Sequence, residues 1–111
     1  MTAIFRIDRF AVPADALPAF LDQLQRIDRL LATLPGCVQH RVLTQAEGEF
    51  NVLTLVEWES EAAMAAARGV VQRRYAEDGF DPPTFMRWLG VRPDFGLFAP
   101  ARETASTVAA A

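Results

Sequence analysis

The sequence predicts an α+β fold: one four-stranded antiparallel sheet with helices packed on one face. Three observations carry that prediction. Segments with strand alternation and segments with helical periodicity follow one another along the chain rather than forming separate blocks. The helical stripes are apolar on one side only, so each helix has one face to bury. The stretch FNVLTLVEWES, residues 50–60, is apolar in the middle of both faces, so that strand needs cover on two sides.

Residues 3–12, AIFRIDRFAV, predict the first strand. Phe5 and Ile7 share one parity, Phe10 and Val12 the other. The switch predicts a bulge near Asp8 and Arg9, or again a strand covered on both faces. VPADALPAF then opens a helix, with Asp15 as its N-cap and Pro18 in the first turn, where a missing N–H costs little. Leu17, Phe20, Leu21, Leu24, Ile27, Leu31 and Leu34 recur at helical spacing, while Asp22, Gln25, Arg26 and Arg29 face water. Pro35 and Gly36 end the helix.

CVQHRVLTQ, residues 37–45, predicts the second strand and AEGE, residues 46–49, a short turn, so strands two and three form a hairpin. Ser60 caps a second helix, with Glu61 favourably placed in its first turn. Its inner face is small: Ala63, Met64, Ala67, Val71 and Tyr75; it stops near Gly79. Asp81, Pro82 and Gly90 bracket a short extra helix. Residues 91–99 predict a last strand, which Pro93 assigns to an edge or a strand start. One domain is expected over residues 1–100, and residues 101–111 are expected to be a disordered tail, having no core pattern.

The order β-α-β-β-α-(α)-β is the split βαβ arrangement of a ferredoxin-like fold. Its helices cover one face of strand three. Leaving Leu53 and Leu55 of the other face in water forfeits about 1.5–3 kcal/mol each. A second copy is the simplest cover: two sheets face to face give a homodimer through the open sheet face, a dimeric α/β barrel.

Bulk properties narrow the function classes. A chain 51% hydrophobic and 23% charged is globular rather than disordered. Net charge −3 without a basic run argues against nucleic acid and anionic membrane as partners. The single cysteine, Cys37, rules out an internal disulfide and suits a reducing cytoplasm. MTAIFRIDRF has no signal-peptide core, and no stretch approaches the ~20 apolar residues of a membrane span. All basic residues are Arg and none is Lys, which points to a GC-rich genome. A cytoplasmic, bacterial protein is expected.

FAVPADALPAFL, LPGCVQHRVL and FNVLTLVEWESEAAMAAA together resemble the antibiotic biosynthesis monooxygenase (ABM) family of dimeric α/β barrels. The similarity covers residues 3–99 and rests on F-x-V-P in strand one, P-G before strand two, and a Trp closing strand three before a Ser-Glu helix start. The resemblance implies a homodimer and a cavity between sheet and helices. Some members oxidise polycyclic aromatic phenols to quinones with O₂ and no metal or flavin; relatives degrade haem. The strand-three Trp of the oxygenases carries over onto Trp58. Their Asn, four residues earlier, falls on Thr54, where this chain departs from the pattern. The haem-degrading relatives' His on the second helix has no counterpart, since the only His is His40 on strand two.

The catalytic candidates are therefore His40 and Trp58. His40 is the side chain suited to proton transfer near neutral pH; a structural or interface His is the alternative. Trp58 is core, cavity wall, or both. The substrate-binding candidates are Thr54, Tyr75, Met64, Phe85 and Trp88, with Phe80, Phe85 and Trp88 expected to lid the core or cavity and Met64 and Met86 to serve as adaptable filler. Arg6 and Asp8 are expected to pair with each other or with a dimer partner. Zinc is unsupported around Cys37, and no nucleotide loop or Ser-His-Asp set is present. The expected activity is cofactor-independent monooxygenation of a small aromatic or polyketide-like compound, with no cofactor and no metal. The alternatives are a non-catalytic binder of a small hydrophobic or aromatic ligand, and a cofactor-free isomerase.

Overall fold

The computed structural model describes residues 2–101; the expected tail therefore lies, from residue 102 on, outside the described residues. Strands β1 (Ile4–Ala11), β2 (Cys37–Thr44), β3 (Val52–Trp58) and β4 (Arg92–Phe98) form one antiparallel sheet in the order β2-β3-β1-β4. Helices α1 (Leu17–Leu31), α2 (Glu61–Asp78) and α3 (Pro82–Leu89) complete it. The α+β, ferredoxin-like arrangement is the one the element order predicts, with β4 on an edge where Pro93 is tolerated.

β1 runs in continuous register against both neighbours, from Ile4 opposite Trp58 to Phe10 opposite Val52. The bulge expected near Asp8 and Arg9 is not there. Arg6 and Asp8 share the helix-covered face with Ile4 and Phe10, so two polar residues on a buried face imitated a change of parity. The irregularity lies in β2, between Cys37 and Gln39, and leaves Val38 57% exposed.

Asp15 is not a helix cap. It sits in a 3-10 turn (Ala14–Ala16), and α1 starts on Ala16 with no side-chain cap. α1 ends at Leu31, short of the expected stop at Pro35 and Gly36, with Ala32 as its C-cap and residues 32–36 in turns and a bend, while the signals of the other two helices hold. Ser60 Oγ accepts the Ala63 N–H at 3.1 Å, and Asp81 accepts that of Thr84 at 3.3 Å. Both α2 and α3 end on left-handed glycines, Gly79 and Gly90.

Two hydrophobic clusters lie between sheet and helices. One contains Phe10, Val12, Ala16, Phe20, Val52 and Val91, with Phe85, Met86 and Leu89 of α3 packed against it. The other contains Val56, Trp58 and Ala67, with Leu31, Leu34, Cys37 and Met64 around it. Asn51 ties the hairpin to the end of β1: its Oδ1 accepts the Val12 N–H at 2.9 Å and its Nδ2 donates to the Val12 carbonyl at 3.0 Å. Gly36 lets α2 come close. A Cβ there would stand 2.5 Å from that of Ala63, and its φ of +85° suits glycine.

Candidate functional site

Register decides which side chains meet under the helices. Thr54 lies opposite Asp8 on β1 and Val42 on β2; Val56 lies opposite Arg6 and His40; Phe95 of β4 lies opposite Asp8. These residues, with Phe10 and Trp58, face the helices. A half-open cavity of about 440 Å³ lies over them, with His40 outside its lining. Phe20, Leu24, Ile27 and Asp28 of α1 wall one side. Met64, Ala67, Val71 and Tyr75 of α2 wall the other, and Phe80, Phe85 and Met86 close one end. The space exists because α2 turns small residues toward the sheet. Only Ala67 of that helix is fully buried.

Five of the residues singled out from sequence line this one cavity: Trp58, Thr54, Tyr75, Met64 and Phe85. Trp58 is 4% exposed, packed with Val56 and Ala67 while its ring faces the cavity, so core and wall coincide. Thr54 presents a hydroxyl on the floor. The Tyr75 ring lies 5.2 Å from that of Phe80, and burial pushes its phenol pKa up, so it is a hydrogen-bond donor across the neutral range. Phe85 stacks on Phe20 at 6.4 Å.

Two placements differ from expectation. Trp88 is 81% exposed and does not line the cavity. Phe85, Met86 and Leu89 make the packed stripe of α3, and Trp88 lies roughly 100° round the helix from its centre. His40 faces the helices but stops behind the cavity wall. Its Nδ1 is 2.6 Å from Asp28 Oδ1, and it is Asp28 that lines the cavity. Both side chains are partly buried, 29% and 28% exposed. A carboxylate only accepts, so Nδ1 is the donor of this hydrogen bond.

Sequence reasoning missed Asp28. It sits on the border of the polar stripe of α1, and its partner is on another element, so no local spacing marks it. Arg6 and Asp8 do pair with each other, Nε to Oδ1 at 2.8 Å, and both line the cavity floor. Their shared parity with Phe10 was the available signal. Cys37 lies beside this group; burial and the Asp28 charge push its thiol pKa up, which keeps it protonated and weakly nucleophilic. Among the described residues, no three His, Cys, Asp or Glu are grouped to hold a metal ion. No described helix is long and apolar enough to cross a membrane.

The model of the family described as antibiotic biosynthesis monooxygenase matches residues 3–74. The chain belongs to that family. Solved structures of ABM-type proteins share the fold. A candidate monooxygenase from Shewanella loihica PV-4 is 21% identical, covering 92% of this chain and 98% of its own, with a TM-score of 0.69. SnoaB from Streptomyces nogalater, described as a cofactor-independent oxygenase, is 24% identical over 92% of this chain and 96% of its own, with a TM-score of 0.66. A candidate antibiotic biosynthesis monooxygenase from Deinococcus radiodurans is 18% identical, with 89% and 91% coverage and a TM-score of 0.63. No curated protein matches the chain.

Proposed function

We propose that this ABM protein is a cytoplasmic, cofactor-independent monooxygenase acting on a small aromatic or polyketide-like compound. The observation that carries the reading is the cavity itself. Aromatic and aliphatic side chains surround a space suited to a planar ring system, with an Asp–His pair at its margin. The description of SnoaB supports the same chemistry.

The net change is oxidation of a ring CH₂, or its phenol tautomer, by O₂. One oxygen atom becomes the carbonyl and the other leaves as water with the two hydrogens. The carbon acid must first lose a proton, because the anion gives an electron to O₂ far more readily than the neutral compound. Asp28 is placed to take that proton on its carboxylate, with the His40 Nδ1–H donating to Oδ1 and holding the group in position. Tyr75 and Thr54 offer hydroxyls to substrate oxygens, and Trp58 and Phe85 hold the ring plane.

Oxygen uptake with a panel of hydroquinones and polycyclic phenols tests this. The wild type is expected to exceed buffer, and Trp58→Phe and His40→Ala to fall about tenfold or more, the usual size of a general-base or positioning loss. Uptake equal to buffer across the panel, with tight ligand binding, transfers the assignment to the second reading: a non-catalytic small-molecule binder. Thr54, standing where the oxygenases of the family resemblance have Asn, favours that reading.

The same reading includes a homodimer. Phe5, Ile7, Leu53 and Leu55 are partly exposed on the face away from the helices, beside Leu43 at 48% and Phe98 at 55% exposure. Polar pairs flank them, Arg9 with Asp94 and Gln39 with Glu57. An apolar centre with a polar rim is interface composition. Sedimentation is expected to give a dimer at micromolar concentration for the wild type and a monomer for Leu55→Asp; a wild-type monomer refutes the dimer.

A further inference from the structure

We propose that Arg6, braced by Asp8, is an anion-binding site on the cavity floor, taking the ionised oxygen of an acidic aromatic ligand. This rests on the reading of the cavity as the ligand site and adds the charge of the ligand to it.

Arg6 stands on the inner face of a central strand, opposite the buried Val56 and beside Phe10 and Trp58 in the same wall. Its side chain is 37% exposed, so donors not spent on the protein are open to the cavity and to what enters it. Only one is used within the described residues: Nε donates to Asp8 Oδ1 at 2.8 Å. The two Nη groups have no protein partner there. Asp8 is the more buried of the two, 14% against 37% exposed, and its Oδ1 also accepts the Gly96 N–H at 3.3 Å. The carboxylate is thus tied to β4 and holds the guanidinium from behind. Cζ lies over the Phe95 ring, 5.3 Å from its centre, within cation–π range. What remains facing the cavity is the outer fork of a held guanidinium, the donor geometry that suits carboxylate, sulfonate and phenolate oxygens.

Arg68 and Asp28 also line the cavity and offset one another in charge, while Arg41, opposite Leu55, belongs to the open face of the sheet.

Two fluorescent probes with one ring skeleton separate charge from shape: 8-anilino-1-naphthalenesulfonate, an anion, and N-phenyl-1-naphthylamine, its neutral counterpart. Titration of the full chain is expected to show tighter binding of the anion. Arg6→Gln is expected to weaken the anion about tenfold, the scale of one charged hydrogen bond, and to leave the neutral probe within about twofold. Arg6→Lys restores part of the loss, being a point charge without the fork. The double variant Arg6→Gln with Asp8→Asn replaces the pair by neutral groups of like shape and keeps the test open should the single variant not fold. An equal loss for both probes, an anion affinity unmoved by Arg6→Gln, or a loss carried by Arg68→Gln instead overturns the site. Binding of neither probe to the wild type overturns the cavity reading as well; binding of the neutral probe with no preference for the anion overturns the anion site alone.

Discussion

Two cores share one face of the sheet, at opposite ends of β3, and differ in how they are filled. Around Val52, α1 and α3 supply large rings. Phe10 and Phe20 meet edge-on at 4.9 Å, and Phe20 stacks on Phe85. Around Trp58, α2 supplies alanines, and one large ring does most of the filling. Thr54, midway on the same face, belongs to neither cluster and is cavity floor. The difference shows what small residues on one helix achieve. A bulky helix closes its end of the sheet; an alanine-faced helix packs near the strands at Gly36 yet leaves space further along.

The comparison can be tested by graded substitution. Phe20→Ala removes the ring that joins α1, β1 and α3 and is expected to cost about 3–5 kcal/mol in urea unfolding. Gly36→Ala acts at the other end. It forces a β-carbon into contact with Ala63 and a residue into positive φ, with an expected loss of about 1–3 kcal/mol. A loss equal to that of Phe20→Ala would show the alanine end to be as tightly determined as the aromatic one.

Tyr75 gives a smaller, pH-dependent effect between the two ends. Its folded pKa is raised by partial burial, so the neutral phenol contributes stability in full below the unfolded value of about 10 and loses it as pH rises through the folded value. The urea midpoint of the wild type is expected to fall above about pH 10, and Tyr75→Phe to remove that part of the fall. Alkaline curves of identical shape would place the phenol in water. Smallest of all, Trp88→Phe is expected to change stability by no more than about 0.5 kcal/mol, since an exposed ring has little packing to lose.

Much of the fold was legible because its signals are local. Ser60, Asp81, Gly79 and Gly90 mark helix ends by chemistry that acts within one turn. The stripe from Leu17 to Leu31 and the small face of α2 read directly as periodicity. Strand parity and helix spacing put Trp58, Thr54, Tyr75 and Met64 on inner faces, and the family resemblance supplied the cavity that they and Phe85 line. What escaped depends on neighbours far along the chain. The partner of His40 is twelve residues away on another element. The parity of β1 was obscured because Arg6 and Asp8 are polar on an inner face. The bulge at Val38 has no glycine or proline to mark it, and Trp88 falls just beyond the edge of a stripe too short to define itself.

The placement of β1 has a further consequence, for synthesis. The hairpin of β2 and β3 joins residues close in the chain, such as Thr44 and Val52, and closes a short loop. β1 is made before the other three strands of the sheet, yet its second neighbour is the fourth of them: Phe5 pairs with Phe98. Until then one edge of β1, with Phe5 and Ile7 beside it, has no ladder to join. The sheet is therefore most open to wrong strand pairing at its first-made strand, and its topology is completed only when the fourth arrives.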